Sequence, residues 1–275
     1  MIRLFASDLD GTLLNEKHQF DDVIVEGIQK IVNSGHVFSI ATGRGKSQCS
    51  DPRIDSLVYK VCMNGAVILD PKNRAVAKEK IDRSILAQIL DEFEEYPFDF
   101  VNEDHILTRY PKEEFLERRV FSTSDEEWKE RYMRDFLPRI QFGKSKEEIL
   151  NASICKINLR INDVDDYSRL DAFLKAHADW LVNAPSGKGL YEITAAGVNK
   201  GSALMKLASF LNIEPKEVAV YGDGGNDVAM LSLFDNAYVP ENGMPQAKKE
   251  AKEILADSKD HSVIDHMLQT IKEQK

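Results

Sequence analysis

Ser7-Asp8-Leu9-Asp10-Gly11-Thr12 is the stretch that decides how this chain folds. It closes an apolar run, Ile2 to Ala6, with two carboxylates on alternate positions and then a turn. Side chains two apart in a strand leave from the same face. The spacing therefore predicts Asp8 and Asp10 pointing together from the tip of a buried strand, Ile2 to Ser7. Two acids placed that way pack poorly but suit a hard cation and a phosphoryl group.

Outward from this stretch, strand and helix patterns alternate. Val23, Ile24, Gly27, Ile28, Ile31 and Val32 recur at helical spacing across Asp21 to Asn33, with Gly35 where a C-cap belongs. His36 to Ala41 reads as a buried strand ending at Thr42-Gly43-Arg44. Val61 to Asp70 and Ala75 to Lys80 read as a hairpin around Pro71-Lys72-Asn73, with Asn64-Gly65 as a local turn. From Asp82 the texture changes. A helix carries Ile85, Ile89, Leu90 and Phe93, and short strands follow at Phe98 to Val101 and His105 to Thr108. The charged stretch Lys112 to Lys146 reads as solvated helix faces over Phe115, Trp128, Tyr132 and Phe136. Cys155 to Ile161 is a strand, Val164 to His177 a helix and Trp180 to Asn183 a strand, and Leu190 to Thr194 returns to the first unit.

Asn199 is a plausible N-cap for a helix over Lys200 to Leu211. Val218 to Gly222 is again a buried strand, ending in Asp223-Gly224-Gly225-Asn226-Asp227. Elements around Ala237 to Val239, Gln246 to Ile254 and Val263 to Ile271 close the chain. Such alternation predicts an α/β fold: a parallel sheet with helices on both faces.

Composition bounds what this fold does. The chain has 275 residues and 43% hydrophobic content, enough for a sizeable core split into two units. Lys and Arg number 36 against 46 Asp and Glu, a net charge of −10. That balance argues against a nucleic-acid partner, whose phosphates demand clustered cations. Cys49, Cys62 and Cys155 are scattered without metal-site spacing and read as reduced thiols. No apolar run approaches the ~20 residues that span a bilayer, and the N-terminal stretch is too short for a signal peptide. The expectation is a cytoplasmic protein with no membrane partner.

Three strands end at Asp8, Thr42 and Asp223. In open parallel sheets the ligand crevice lies beyond the carboxyl ends of the strands, so these ends should meet. Asp8, Asp10, Asp223 and Asp227 would then gather four carboxylates. Two such charges about 4 Å apart repel by about 4 kcal/mol at an effective dielectric near 20, so the cluster calls for a divalent cation. Oxygen-only donors favour Mg²⁺ over zinc. Thr42 and Gly43 offer a hydroxyl and an N–H suited to phosphoryl oxygens. Lys200, at the start of a helix, opposes the helix dipole unless an anion sits nearby.

Taken in order, Asp-x-Asp-Gly-Thr, strand-Thr-Gly-Arg, Lys-Gly and Gly-Asp-Gly-Gly-Asn-Asp resemble the motifs of the haloacid dehalogenase superfamily, in its Cof-type phosphatase branch. The matching residues are Asp8, Asp10, Thr42, Gly43, Arg44, Lys200, Gly201, Asp223, Asn226 and Asp227, and Lys249 to His266 resembles the family's C-terminal end. The resemblance implies a Rossmann-like core with an inserted α/β cap, divided as core 1–82, cap 83–189 and core 190–275. It implies that Asp8 is a nucleophile forming an aspartyl phosphate and that Asp10 gives and takes the proton. Mg²⁺ would be held by the Asp8 carboxylate, the Asp10 main-chain carbonyl and Asp223, with Asp227 acting from behind. Leu9 N–H, Thr42, Gly43, Lys200 and Asn226 would surround the phosphoryl group. Arg44, Asn64 and Lys188, together with Arg109 and the turn Gly187 to Gly189, are candidates for meeting the leaving group.

The expected activity is a Mg²⁺-dependent phosphatase of small phosphorylated metabolites, such as sugar phosphates or phosphorylated cofactors, with cap closure excluding water and choosing substrates. A phosphomutase of a sugar phosphate is the alternative. A phosphorylatable receiver or phosphate-binding protein fits less well, because receivers are about half as long and need neither Asp10 nor an inserted domain.

Overall fold

Strand β1 (Leu4–Ser7) is buried along its whole length, and a strand buried on both faces belongs inside a parallel sheet. The protein, described here from a computed structural model covering residues 1–121, 124–160, 167–185 and 189–274, is built outward from that strand.

Helix α1 (Asp22–Asn33) follows, capped by Asp21, whose side chain accepts from the Ile24 amide at 3.1 Å; such a cap stabilises a helix by about 1 kcal/mol. Next come β2 (Val37–Ala41), β3 (Tyr59–Cys62), β4 (Val67–Leu69) and β5 (Ala75–Lys78). The second unit contributes α2 (Arg83–Glu92), β6 (Asp99–Val101), β7 (Ile106–Leu107), α3 (Lys112–Leu116), α4 (Glu126–Asp135), β8 (Ile140–Gln141), α5 (Lys146–Asn151), β9 (Lys156–Arg160), α6 (Ser168–Ala176), β10 (Leu181–Asn183) and β11 (Leu190–Ala195). The chain then returns through α7 (Lys200–Phe210), β12 (Val218–Tyr221), α8 (Val228–Leu231), β13 (Asn236–Pro240), α9 (Pro245–Lys249), β14 (Glu253–Leu255) and α10 (Ser262–Glu273).

The first unit comprises Met1–Lys78 and Val198–Lys275. Its sheet runs β14-β13-β12-β1-β2-β3-β4-β5. Neighbours from β14 to β3 are parallel, and the β3–β4–β5 edge is antiparallel around the expected turns. Leu4, Ala6, Val61, Val218 and Val220 pack with Leu204 and Leu207 of α7 and Met230 of α8. Alternation sends Phe5 to the opposite face. Helices α1 and α10 pack together, with Gly27 against Ile264.

The second unit, Glu79–Gly197, has its own sheet, β10-β11-β9-β6-β7-β8, antiparallel except for the β7–β8 pair. Its apolar core joins Ile89, Phe93, Phe100, Ile157, Leu159, Leu170 and Ile193.

The division differs from the expected 83–189. Leu190–Ala195 does not return to the first sheet: it pairs antiparallel with β9 and β10, so the unit extends to Gly197. Its alternation suits either sheet locally, and pairing partners decide. At the other boundary, the Ile81 amide donates to the Ile154 carbonyl at 2.8 Å, which ties residues 79–82 to the second unit. Among the described residues no helix is long and apolar enough to cross a membrane.

Candidate active site

Asp8 emerges straight from β1, its amide still donating to the Tyr221 carbonyl of β12 at 2.9 Å. Its buried carboxylate meets Lys200, whose Nζ donates to Asp8 Oδ1 and to Asp227 Oδ1, each at 2.7 Å. Lys200 is fully buried. The helix it begins is fixed by Asn199, whose side chain accepts from the Ser202 amide at 2.8 Å. Gly201 allows the close approach that buries the lysine, since a Cβ there would stand 2.5 Å from the Ala229 carbonyl oxygen. A lysine in a first helical turn opposes the dipole; here the anions that offset this cost are the two aspartates.

Strand β12 delivers Asp223, whose Oδ1 accepts from Thr12 Oγ1 at 2.7 Å. The turn that follows folds Asp227 back, so that its Oδ2 accepts from the amides of Asp223 (3.0 Å) and Gly224 (2.8 Å). Gly11 has φ +78° and lies so close that a Cβ would be 2.5 Å from Asp223 Oδ2. Backbone angle and space both demand glycine there.

Carboxylate oxygens of Asp8, Asp223 and Asp227 come within 4.8 Å of one another. Burial, followed by repulsion from Asp227, Asp223 and Asp10, holds the Asp8 carboxyl well above its usual range, while Lys200 pulls it down. Asp223 is pushed up to about 6 by burial and by Asp227, against the Thr12 hydrogen bond and Lys200. For Lys200, burial disfavours the charge, but Asp227 and Asp8 outweigh it and raise the pKa. The cluster thus carries more negative charge than one lysine balances. Its donors are all hard oxygens, and this set fits a divalent cation. Asp8, Asp223 and Asp227 each offer a carboxylate oxygen to such an ion, although both Asp227 oxygens already accept from Lys200 or from two amides.

Asp10 does not join this cluster as a fourth carboxylate. Its Oδ2 accepts from Arg44 Nε at 2.7 Å, its Oδ1 pairs with Arg44 Nη2, and His18 Nδ1 stands 2.8 Å from Oδ1. The reason is local: β1 ends at Ser7, and Leu9–Leu13 forms one wide turn in which the Leu14 amide returns to the Leu9 carbonyl at 2.9 Å. Strand alternation therefore stops before it can align the two acids.

The remaining expected residues fall as follows. Thr42 is buried at the end of β2, its hydroxyl accepting from the Arg44 amide at 3.1 Å, and Gly43 follows it half-buried. Arg44, expected to meet a leaving group, is engaged with Asp10 and donates from Nη1 to the Gln48 carbonyl at 3.0 Å. Asn64 is buried in the left-handed region (φ 55°). Its amide donates to the Thr42 carbonyl and its Oδ1 accepts from Asn226 Nδ2, both at 3.0 Å. Leu9 is buried. Lys188 and Gly187 lie outside the described residues. Arg109, in the second unit, is occupied by the Leu90 carbonyl (2.8 Å) and Glu94 (3.0 Å).

Three contributors escaped the sequence reading. Thr12 belongs to the first motif and its hydroxyl was a visible signal. His18 and Asn242 carried none. Asn242 Nδ2 donates to the Gly11 carbonyl at 2.7 Å while its Oδ1 accepts from the Ser258 amide at 3.0 Å, which ties the Asp8 loop to the C-terminal region.

A family model described as haloacid dehalogenase-like hydrolase matches residues 5–267. A 5-amino-6-(5-phospho-D-ribitylamino)uracil phosphatase of Bacillus subtilis (strain 168) is 26% identical, over 97% of this chain and 98% of its own length. An HMP-PP phosphatase of Yersinia enterocolitica is 26% identical over 92% of this chain and 89% of its own. Among solved structures, a haloacid dehalogenase-like hydrolase from B. subtilis superposes with a TM-score of 0.79 at 26% identity, covering 97% of this chain and 99% of that one.

Proposed function

The chain belongs to the haloacid dehalogenase-like hydrolases, in their Cof-type branch, and from that premise we propose that it is a Mg²⁺-dependent phosphatase of small phosphorylated metabolites. The observation that carries the reading is Lys200, fully buried and bonded to both Asp8 and Asp227 beside Asp223. A site with that charge excess, at the carboxyl ends of β1 and β12, suits phosphoryl transfer, in which positioning and charge neutralisation supply most of the catalysis.

In this reading Asp8 attacks phosphorus in line, forming an acyl phosphate as the bond to the leaving oxygen breaks. Lys200 holds the Asp8 carboxylate in place and offsets charge on the transferred group. Asp10 donates a proton to the departing alcohol, then takes one from the water that cleaves the aspartyl phosphate, restoring Asp8 and releasing phosphate. Arg44, bonded to both oxygens of Asp10, positions that carboxyl for the two proton transfers. Thr42, Gly43, the Leu9 amide and Asn226 line the phosphoryl oxygens. Asp8, Asp223 and the Asp10 main-chain carbonyl would hold Mg²⁺, which would supply the positive charge that balances the carboxylates and the phosphate.

Relatives named for a phosphoribitylamino-uracil and for HMP-PP support sugar phosphates and phosphorylated cofactors or their precursors as the substrate class. The test is phosphate release from a panel of such esters and nucleotides, with and without Mg²⁺, using Asp8→Asn as the blank. Release that needs Mg²⁺ and vanishes in the blank is the expected result. Release that persists in folded Asp8→Asn would remove Asp8 from its role, and conversion of a sugar phosphate to its isomer without free phosphate would make the enzyme a mutase.

A further inference from the structure

Cys49 and Cys62, thirteen positions apart, are both fully buried with their sulfurs 3.5 Å apart. Cys49 closes the short 3₁₀ turn Lys46–Gln48, and its Sγ lies 3.3 Å from the Lys46 carbonyl. Cys62 is the last residue of β3, followed by Met63 and Asn64, both with positive φ. The peptides beside the two cysteines are the ones that hold Arg44. Its Nη1 donates to the Gln48 carbonyl, just before Cys49, and its own carbonyl accepts from the Met63 amide, just after Cys62, each at 3.0 Å. Arg44 in turn grips Asp10.

We propose that Cys49 and Cys62 form a reversible redox site, in which a disulfide between them pulls on both anchors of Arg44 and slows turnover by disturbing its grip on Asp10. A disulfide places the sulfurs about 2.05 Å apart, so closure requires a local movement of roughly 1.5 Å. That movement is small enough for the half-buried turn over Cys49 and large enough to matter to the arginine. The Cys62 thiol hydrogen-bonds to the Cys49 sulfur and, against burial, lowers its pKa, as do the Lys60 and Arg44 charges, so that of the two sulfurs Cys49 more readily forms the thiolate.

With a peroxide as oxidant, the Cys49 thiolate attacks one peroxide oxygen. The O–O bond breaks, water leaves, and Cys49 becomes a sulfenic acid. The Cys62 sulfur then attacks that sulfur and displaces a second water. Two thiols and one peroxide thus give one disulfide and two waters, and a dithiol reductant reverses the change by exchange.

The thiol chemistry stands on its own, whereas its effect on turnover rests on the phosphatase reading. The experiment treats the full chain with hydrogen peroxide, counts thiols in denaturant, weighs the intact protein, maps linked peptides and assays phosphate release before and after dithiothreitol. The expected result is a fall from three free thiols to one, loss of the mass of two hydrogens, a peptide joining Cys49 to Cys62, and a turnover at least about tenfold lower. Dithiothreitol should restore all of these. Cys49→Ser should keep its activity through the same treatment, and Cys155→Ser should behave like the parent. Gain of oxygen on Cys49 with Cys62 still free, or links made through Cys155, would overturn the site. An intact Cys49–Cys62 link with unchanged turnover would overturn its coupling to Arg44. Reduced protein that releases no phosphate from any ester would instead count against the phosphatase reading, with the thiol result read separately.

Discussion

Each of the two units buries a group of charges, and the groups differ in balance. In the second unit Arg119 Nη2 donates to Asp99 Oδ2 at 3.1 Å, Tyr132 donates to Asp99 Oδ1 at 3.0 Å, and Lys156 pairs with Glu192 across β9 and β11. Two acids face two bases. The Arg119 guanidinium also lies over the rings of Trp128 and Tyr132, at 5.6 and 5.7 Å, a favourable place for a cation. In the first unit three carboxylates cluster, and among the described residues Lys200, paired with Asp8 and Asp227, is the one basic group bonded to them. The balanced cluster matches its formal charges one for one, although Arg119 Nε and Nη1 are buried without a hydrogen-bond partner among the described residues. An unbalanced one keeps an affinity for outside positive charge, and that separates a site from a strut when both are made of aspartate and a basic residue.

The sharpest attempt to break this contrast is Asp8→Asn. Phosphate release should fall at least ~10³-fold, with circular dichroism and melting unchanged or improved, since a carboxyl already held high by burial is removed. Lys200→Met comes next. It leaves Asp8 and Asp227 facing each other without a cation, and should cost about 3 kcal/mol or more in denaturant titrations at pH 8. Because Asp8 then loses the lysine charge that pulls its carboxyl down and rises further, its protonated form is favoured in the folded state, and part of the loss should return at pH 5. A variant equally unstable at both values would mean that the pairing is incidental.

Arg119→Met tests the other side. It strands Asp99 in the second unit and should lower stability by about 3 kcal/mol, with kcat within about threefold of the parent where the fold persists. Pairing it with Asp99→Asn should recover much of the stability. A large loss of kcat in that stable double variant would show that the balanced cluster also belongs to the reaction.

The smallest effect is the most direct reading of charge excess. Mg²⁺ at about a hundred times its Kd should stabilise the protein by about 2.7 kcal/mol, and Asp223→Asn should weaken that response. Asp223 has a folded pKa near 6, above its ordinary 3.8. The folded metal-free protein therefore binds more protons than the unfolded chain between these values, and this residue's contribution to stability falls as pH rises through the window. Mg²⁺ binding competes with that proton, so the melting shift on adding Mg²⁺ should grow from pH 5 to pH 7. A shift independent of pH would separate Asp223 from the cation.

Much of this architecture was legible because its signals are local. The turn-rich ends after β1, β2 and β12 announce themselves in residue type, and the cap at Asn199 appears where helical periodicity begins. Leu190–Ala195 was misassigned because an alternating apolar strand looks the same in either sheet. Asp10 was misaimed because strand alternation was carried past Ser7, where the strand ends as expected, into the wide Leu9–Leu13 turn, whose path the residue types do not show. The cysteine pair was invisible, since two thiols thirteen positions apart in different elements have no shared spacing.

By itself the sequence determined the alternating strand and helix order, the carboxylates at the strand ends and the oxygen-only character of the donors, all properties of residue type and short-range periodicity. Which charges meet was decided only by tertiary structure. Lys200 reaches Asp8 across 192 positions, and Arg44 reaches Asp10 across 34. Those distances are set by strand register and by where each strand ends, so a charge that a sequence can name finds its partner only once the sheet has formed.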